Sequence, residues 1–382
     1  MLYKPYKAHC IKLQEARRYR KLPEPISDKS SDFVDFSNND YLVLSKSKKL
    51  LEVAKVAGDK YGVGSTGSRL LSGNSEIFED FERKIAKDKN TESALIMNSG
   101  FQANVTVLAA LLDKLVLGNS PIVFFDKLNH SSLYQAVFLS GAELVRYRHN
   151  DVTHLANLFL KFADDKRPKF IVTETVFGMD GDIANLEAII TLAKKYDAFL
   201  YLDEAHATGI FGKHGYGVST DFNLEGISHL IMGTFSKALG CFGAYIACSD
   251  ILKKYLINKS AGFIYSTALP PIIIEVASKA WDLVPSFRDE CNELLLKAND
   301  LRNKLQKLGL DIGPSSTHII PVILGNESDV MYAKEKLLKE KIIVSAIRPP
   351  SVPQGSSRLR IALNIGHSEN DIARLVDGLS SF

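Results

Sequence analysis

Short apolar runs rich in β-branched and aromatic residues alternate with longer, helix-like segments through the middle of the chain. This alternation predicts a mostly parallel β-sheet covered by helices, because parallel strands need long connections and are buried on both faces. Ligands of open α/β sheets lie outside the carboxyl ends of the strands, so the polar residues that end these runs are expected to converge on one site. The runs are residues 93–98 (SALIMN), 121–126 (PIVFFD), 169–175 (KFIVTET), 198–204 (AFLYLDE) and 229–235 (HLIMGTF), with Asn98, Asp126, Glu174, Asp203 and Thr234 at or near their ends.

The pattern changes after a long helical stretch from about Pro271 to Leu308. Three strand-like runs follow, THIIPVIL, KIIVSAIR and SRLRIAL, and then a closing helix that Ser368 can cap. This change of pattern predicts a separate, smaller C-terminal domain. We expect an N-terminal helix and arm over residues 1–45, a large α/β domain over residues 46–283 and a small α+β domain over residues 284–382.

The composition is that of an ordinary soluble protein, with 46% apolar and 24% charged residues. The net charge of +3 is spread along the chain, which argues against a nucleic-acid surface. The densest basic cluster, residues 17–21, is expected to be a solvated helix face, with a phosphate or carboxylate contact as the alternative. The four cysteines form no zinc or C-x-x-C pattern, so we expect no metal site and a reducing cytoplasm. No run of about twenty apolar residues predicts a membrane span.

Residues 62–67 (GVGSTG) match the G-x-G-x-x-G spacing of dinucleotide-binding folds. That motif is meaningful only between a strand and a helix. The preceding residues 48–61 have helical spacing, and no second strand carries an acid for a ribose, so an NAD-dependent enzyme is not expected. From the spacing alone, a tight surface turn and a ligand loop lined by backbone are both open.

Two further segments carry residues suited to chemistry. Asp203 ends an apolar strand, and a buried carboxylate is costly unless it meets a cation or hydrogen-bond donors. Lys237 is the only charged residue in residues 233–244 (GTFSKALGCFGA), where a lysine can serve as a nucleophile or base. Taken alone, Asp203 could instead be an ordinary strand-end aspartate that caps the next turn. Taken alone, Lys237 is better explained as an exposed loop lysine.

Together, the strand-end aspartate and the T-x-S-K pattern of residues 234–237 resemble the fold type I pyridoxal-phosphate enzymes. The resemblance implies that Lys237 holds pyridoxal 5'-phosphate as a Schiff base and that Asp203 pairs with its pyridinium nitrogen. It also implies that His130 stacks on the cofactor ring and that His206 hydrogen-bonds the ring hydroxyl. The cofactor phosphate would bind backbone N–H groups at a helix start and nearby hydroxyls, from Ser99, Gly100, Phe101, Thr234 and Ser236.

Eight motifs narrow this resemblance to the α-oxoamine synthases, which join an amino acid to an acyl thioester and release carbon dioxide. The motifs occur in the family's order over nearly the whole chain. They are SNNDYLVLS (37–45), GVGSTGSRLLSG (62–73), NSGFQAN (98–104), VFGMDGD (176–182), DEAHATGIFGKHGYG (203–217), GTFSKALG (233–240), IYSTALPP (264–271) and RLRIAL (358–363).

Residues 346–363 are most similar to the family members that join L-alanine to a pimeloyl thioester, carried by coenzyme A or by an acyl carrier protein. Two alternatives remain: a sister enzyme that uses glycine and a different acyl-CoA, and a catalytically silent binding protein of the same fold. The complete set of Lys237, Asp203, His206 and His130 argues against the silent protein, which would have no physical need to keep it.

The resemblance implies substrate contacts as well. Arg360, in the RLR motif, would bind the carboxylate of the amino acid through its planar guanidinium. Asn39 and His130 would orient the ring and the thioester. The glycine-rich loop would line the acyl pocket, where Leu70 beside Ser68 suits a long methylene chain.

The family architecture implies a homodimer with its active site at the interface, where Ser266 and Thr267 of one chain reach the other chain's cofactor phosphate. The chain departs from the family at two positions. Gly178 stands where the family usually has serine, and Phe78 stands where many members have histidine. Neither departure removes the lysine, the acid or the stacking histidine, so we expect an active enzyme.

Overall fold

The computed structural model describes residues 2–22 and 32–382. In chain order, the strands are β1 Val34–Asp35, β2 Ser93–Met97, β3 Ile122–Asp126, β4 Glu143–Tyr147, β5 Lys169–Glu174, β6 Phe199–Asp203, β7 His229–Thr234, β8 Ala244–Cys248, β9 Ile319–Gly325, β10 Ile342–Ile343, β11 Ser345–Ile347 and β12 Ser357–Ala362. The helices are α1 Tyr3–Glu15, α2 Lys48–Tyr61, α3 Glu76–Asp88, α4 Gly100–Leu111, α5 Lys114–Leu117, α6 Ser131–Ser140, α7 Val152–Lys161, α8 Leu186–Lys195, α9 Asp250–Lys259, α10 Ala261–Ile264, α11 Pro271–Leu283, α12 Arg288–Lys307, α13 Glu327–Lys339 and α14 Glu369–Leu379.

The described residues form two compact units. The large unit comprises Asn39–Gly178 and Ile183–Asn292, and the small unit comprises the described residues up to Asn38 together with Met179–Asp182 and Glu293–Phe382. The large unit thus begins at Asn39 and ends at Asn292, whereas the sequence predicted boundaries at residues 46 and 284. Contacts between distant parts of the sequence cause the difference, because β1 pairs with β10 and both therefore belong to the small unit.

The large unit contains a seven-stranded sheet with the order β2-β8-β7-β6-β5-β3-β4. Only β8 runs antiparallel to its neighbours, so the expected mostly parallel sheet is confirmed. All five predicted runs form strands, namely β2, β3, β5, β6 and β7. Two strands of this sheet were not predicted. The first, β8, follows β7 without an intervening helix, and the second, β4, is a partly exposed edge strand that lacks the continuous apolar pattern.

The carboxyl ends of β3, β5, β6 and β7 lie at one edge of this sheet because these strands are parallel. Glu174 and Asp203 are direct neighbours in the register at that edge. Met97, at the end of β2, is level with Ala244 of β8, which in turn pairs with Thr234. The strand-end polar residues therefore do converge along one edge.

The expected long helix after Pro271 is two helices, α11 and α12. They are separated by a 3₁₀ turn, Val284–Phe287, that contains Pro285. Proline has no N–H to donate to the preceding turn and its ring crowds that turn, which explains the break.

The small unit contains a three-stranded antiparallel sheet with the order β11-β12-β9. The predicted cap of the last helix is confirmed, since Ser368 and Asp371 form a capping box at the start of α14. The basic cluster at residues 17–21 is not a helix face as expected, because α1 ends at Glu15. Instead, Arg18 forms an ion pair with Glu327 at 2.8 Å.

One stretch, Gly100–Leu117, meets the length and composition criteria for a membrane span, although the sequence predicted none. It comprises two helices, α4 and α5, separated at Leu112 and Asp113. Val107, Leu108 and Leu111 of α4 are buried in the core of the large unit beside β2 and β3. Core helices of water-soluble proteins share this composition.

Candidate active site

Asp203 lies buried at the carboxyl end of β6, with 3% of its surface exposed. Asn104 donates a hydrogen bond from Nδ2 to Asp203 Oδ2 at 2.7 Å, and the backbone N–H of Ala205 donates to Oδ1 at 2.9 Å. Such donors reduce the cost of burying a carboxylate. The buried Asp203 carboxylate therefore has the hydrogen-bond donors that were expected from the sequence.

A hydrogen-bonded chain links Asp203 to His130. Asn104 donates its second Nδ2 hydrogen to Ser132 Oγ at 3.0 Å, and Ser132 Oγ lies 2.7 Å from His130 Nδ1. Tyr201 completes the chain by donating to Asn104 Oδ1 at 2.8 Å. The sequence had no means to assign these roles to Asn104, Ser132 and Tyr201, because they depend on how α4 and α6 pack against the sheet.

The network also determines which nitrogen of His130 carries the proton. The backbone N–H of Ser132 donates to His130 Nδ1 at 3.3 Å, so Nδ1 is an acceptor and the neutral ring carries its hydrogen on Nε2. Burial lowers the pKa of His130; the Asp203 carboxylate opposes this effect and the charge of Lys237 adds to it. The ring is therefore neutral at neutral pH and suited to stacking on another flat ring.

Lys237 follows β7 and is half-buried. Its charge acts on both His130 and Glu174, so it belongs to the same cluster as Asp203. The turn that carries it is closed by a hydrogen bond from Gly240 N–H to Lys237 O at 2.8 Å. Gly240 has a φ of +61°, and a Cβ there would lie 2.8 Å from Ser45 Cα, so glycine is needed for both reasons.

Several groups expected to bind a phosphate lie at the start of α4. Ser99 is its N-cap and accepts a hydrogen bond from the Gln102 N–H at 3.2 Å, while the N–H groups of the first helical turn remain the natural anion donors. Thr234 Oγ1 and Ser236 Oγ lie 2.7 Å apart. The Cβ position of Gly100 is 3.7 Å from Thr234 Cβ, so the hydroxyl pair lies beside the helix start.

Ser266 and Thr267 lie near the same helix start in their own chain. Gln102 Nε2 donates to Ser266 Oγ at 2.7 Å, and Asn98 Nδ2 donates to the carbonyl oxygen of Thr267 at 2.7 Å. The first bond holds the side chain of Ser266 and the second holds the backbone of Thr267 next to the expected phosphate site. Their contribution across a dimer interface stays a prediction.

Glu174 is a strand-end residue for which no individual role was predicted. It is buried beside Asp203, and its Oε1 accepts the His130 N–H at 2.6 Å while Oε2 accepts the Gly178 N–H at 3.4 Å. Burial, followed by the charge of Asp203, raises the pKa of Glu174 to about 8. The register of β5 and β6 explains the effect, since it places two carboxyl groups side by side away from water.

We expect the stability of the cofactor-free protein to depend on pH through Glu174. The folded state holds its proton more tightly than the unfolded chain, so the free energy of unfolding falls as pH rises from about 4.5 to about 8. Glu174→Gln should remove this part of the slope, as measured by urea unfolding followed with the fluorescence of Trp281, the one tryptophan of the sequence. The exposed Glu187→Gln is the control. An unchanged slope in Glu174→Gln would contradict the assignment.

The Gly-rich loop is a closed turn between α2 and α3, so the helix predicted before it is confirmed. A Cβ on Gly67 would overlap Ser72 Oγ, and one on Gly73 would lie 2.8 Å from Ala268 Cβ. The Ala268 N–H donates to Gly67 O at 2.9 Å, which ties the loop to the segment after α10. Gly67 and Gly73 are therefore needed because neighbouring atoms occupy the space that a side chain would take. Of the two substrate-binding candidates in the loop, Ser68 is half-buried and Leu70 is exposed.

Phe78, one of the two departures from the family, supports Arg69 in this loop. The Arg69 guanidinium lies 4.5 Å from the centroid of the buried Phe78 ring and forms an ion pair with Glu82. A guanidinium over an aromatic face is a favourable cation–π contact. The phenylalanine thus helps to anchor the loop.

Arg360 lies on β12 of the small unit and is buried. Arg358, two residues earlier and therefore on the same face of the strand, forms a buried ion pair with Asp180 at 2.7 Å. Arg358 is thus held by a carboxylate of its own unit. Within the described residues, no cluster of three or more His, Cys, Asp or Glu side chains has metal-binding geometry.

His206 and Asn39 are linked through Tyr41 in the large unit. The Tyr41 hydroxyl lies 2.8 Å from His206 Nδ1 and 3.0 Å from Asn39 Oδ1. Gly178 lies on the other side of the His206 ring, because a Cβ there would overlap Nε2 and come within 2.8 Å of Cδ2. With the ring in this position, a serine at residue 178 would not fit.

The chain is similar to known proteins over most of its length. The sequence profile of the aminotransferase class I and II family matches residues 31–379. A relative from Paramagnetospirillum magneticum, provisionally named 8-amino-7-oxononanoate synthase, is 48% identical over 345 residues, which are 90% of this chain and 87% of the relative.

Solved structures are similar over nearly the whole chain. Serine palmitoyltransferase from S. paucimobilis, with pyridoxal phosphate and myriocin bound, has a TM-score of 0.88 and 25% identity and covers 99% of this chain and 96% of its own. The 8-amino-7-oxononanoate synthase from Francisella tularensis has a TM-score of 0.79 and 28% identity, over 92% of this chain and 98% of its own.

Proposed function

Since the chain belongs to the aminotransferase class I and II family, we propose that it joins L-alanine to a pimeloyl thioester and releases carbon dioxide and the free thiol, giving 8-amino-7-oxononanoate for biotin biosynthesis. It is a fold type I, pyridoxal-phosphate-dependent acyltransferase. The observation that carries the proposal is the cluster of Lys237, Asp203 and His130 at one edge of the sheet.

The residues of the large unit fit pyridoxal phosphate. Lys237 supplies an amine that can condense with an aldehyde, and Asp203 supplies a carboxylate, already held by donors, for a protonated ring nitrogen. His130 is a neutral flat ring, and the start of α4 is an anion-binding helix terminus. When bound, the cofactor supplies an electron sink for the carbanion that forms at Cα of the amino acid.

Each remaining step uses residues of the chain. Arg360 binds the carboxylate of L-alanine, and Asn39 with His130 orients the thioester. Lys237 would remove the Cα proton as the general base, and the carboxylate of Asp203 would hold the protonated ring nitrogen of the cofactor. Attack of Cα on the thioester carbonyl releases the thiol, and the resulting β-keto acid loses carbon dioxide. Lys237 then returns a proton to Cα.

The assay that tests this function pairs each of three amino acids, L-alanine, glycine and L-serine, with each of two acyl donors, pimeloyl-CoA and a short acyl-CoA. Thiol release is measured for every pair. We expect L-alanine with pimeloyl-CoA to give the highest kcat/KM. A better rate for glycine with a short acyl-CoA would favour the sister enzyme instead. Absence of bound pyridoxal phosphate and of thiol release with every pair would favour the silent binding protein.

We expect Leu70 to contact the methylene chain of the acyl donor. It is 48% exposed in this chain, which leaves an apolar side chain available to a substrate or to a partner chain. Leu70→Asn should lower kcat/KM for pimeloyl-CoA about 5- to 30-fold, the value of one apolar contact, and affect a short acyl-CoA less. Leu160→Asn, an exposed leucine on α7, is the control. Equal losses for both acyl donors would contradict the contact.

We propose that the active form is a cytoplasmic homodimer in which Ser266 and Thr267 reach the partner's cofactor phosphate. The exposure of Thr267 supports this arrangement, because it leaves the residue available to a partner chain. Analytical ultracentrifugation of the active enzyme should show a dimer. An active monomer would contradict the shared site.

A further inference from the structure

The side chain of Gln102, in the first turn of α4, uses both of its amide hydrogens and its oxygen. Its Nε2 donates to the Gly262 carbonyl oxygen at 2.9 Å and to Ser266 Oγ at 2.7 Å. Its Oε1 accepts the backbone N–H of Asn98 at 3.1 Å. The amide therefore holds two parts of the large unit at once: the backbone just before α4, and residues 262–267, which we call the α10 segment.

The bonds of Gln102 lie on both sides of the backbone N–H groups that are expected to bind the phosphate. Its Oε1 accepts from Asn98, and its own backbone N–H donates to Ser99 Oγ at 3.2 Å. Between these two bonds lie the N–H groups of Ser99, Gly100 and Phe101. The first N–H groups of a helix have no partner within the helix, so they are the donors that an anion meets. The side chain of Gln102 thus fixes the backbone that carries these donors.

The α10 segment packs directly against α4. The φ of Gly262 lies outside the left-handed region, so its glycine is explained by space rather than by backbone conformation. A Cβ there would lie 2.6 Å from Thr106 Oγ1 and 2.8 Å from Gln102 Cγ. At the other end of the segment, Asn98 Nδ2 donates to the Thr267 carbonyl oxygen at 2.7 Å. The segment is therefore held against the start of α4 at both of its ends.

We propose that Gln102 is a positioning residue that sets the geometry of the cofactor phosphate site by holding the start of α4 and the α10 segment in one arrangement. The inference rests on the proposed function, in which the start of α4 binds the phosphate and Ser266 and Thr267 reach the partner's cofactor phosphate. One amide side chain thus contacts both of the elements that meet a phosphate group. Its effect is confined to the phosphate, because the ring of the cofactor is assigned to Asp203 and His130 on other elements.

The first test uses the cofactor-free protein. Gln102→Met keeps the length of the side chain and removes its hydrogen bonds, so backbone amides of the α10 segment should exchange about 2- to 10-fold faster, the value of one hydrogen bond. Hydrogen–deuterium exchange with mass spectrometry measures this change. Gln135→Met, at an exposed position of α6, is the matched control. Unchanged exchange in Gln102→Met, or an equal acceleration of the same segment in Gln135→Met, would overturn the proposal.

The second test compares the binding of pyridoxal phosphate with that of pyridoxal, which lacks the phosphate. Gln102→Met should raise the dissociation constant of pyridoxal phosphate about 2- to 10-fold and leave that of pyridoxal unchanged. A variant that is merely less well folded would lose affinity for both ligands. Equal losses for the two ligands, or no loss for either, would therefore contradict the positioning role. If the unmodified chain binds neither ligand, the proposed function fails, and the exchange measurement still decides whether Gln102 holds the α10 segment.

Discussion

Lys237→Ala is expected to remove both the absorption band of lysine-bound pyridoxal phosphate and catalytic turnover. The charge of Lys237 lowers the pKa values of both His130 and Glu174, which places its amine close to these two side chains. Its loss removes the amine that binds the aldehyde and the base that takes the Cα proton. Loss of a general base alone lowers kcat about 10²- to 10⁴-fold.

Two further variants make this result specific. Lys237→Arg keeps a positive charge at the site but offers no amine that condenses with an aldehyde, so we expect it to lose the band as well. Lys55→Ala, on the exposed surface of α2, should keep both the band and the activity. A full band in Lys237→Ala would mean that another lysine holds the cofactor.

Lys89→Met is expected to lower the free energy of unfolding more than any other substitution proposed for this chain. The side chains of Lys89 and Glu204 are completely buried and form an ion pair, and Lys89 Nζ also donates to Tyr216 O at 2.7 Å and to Ser219 Oγ at 3.2 Å. Burial lowers the pKa of Lys89, and the charge of Glu204 opposes this effect. Removing the cation leaves a buried carboxylate, which costs about 3–5 kcal/mol of unfolding free energy.

Urea unfolding followed by Trp281 fluorescence measures this loss, because Trp281 is fully buried in the same unit. Lys55→Met, in an exposed pair with Glu52, should cost at most about 1 kcal/mol. The double variant Lys89→Met with Glu204→Leu should lose less than Lys89→Met alone, because no charge is left without a partner. A loss below about 1 kcal/mol in Lys89→Met would contradict the account of this pair.

The sheet was predictable because its strands are buried on both faces. Residues such as Phe124, Ile171 and Leu200 therefore form apolar runs that stand out from the helices around them. The convergence of the strand-end residues was predictable because the carboxyl ends of parallel strands lie at the same edge of the sheet. The antiparallel β8 was missed because its pairing partners come from β2 and β7, which no local pattern reveals.

The supporting residues of the site could not be predicted from local sequence. Asn104 and Ser132 lie on different helices and meet only through packing, at 3.0 Å. Tyr41 and His206 are 165 residues apart in the chain. Glu174 was visible as a strand-end carboxyl, but its raised pKa depends on its place beside Asp203 in the register. The resemblance to a family indicates which residues contact the cofactor. The contacts that support those residues depend on tertiary packing and become visible only in the structure.

The proposed reaction is tested most directly by following the carboxyl carbon of the amino acid. The enzyme is incubated with L-alanine labelled with ¹³C in its carboxyl group and with pimeloyl-CoA, and labelled carbon dioxide, free thiol and product mass are measured together. We expect one labelled carbon dioxide for each thiol released and a product with the mass of 8-amino-7-oxononanoate. Formation of pyruvate without thiol release, or thiol release without labelled carbon dioxide, would contradict a decarboxylative condensation.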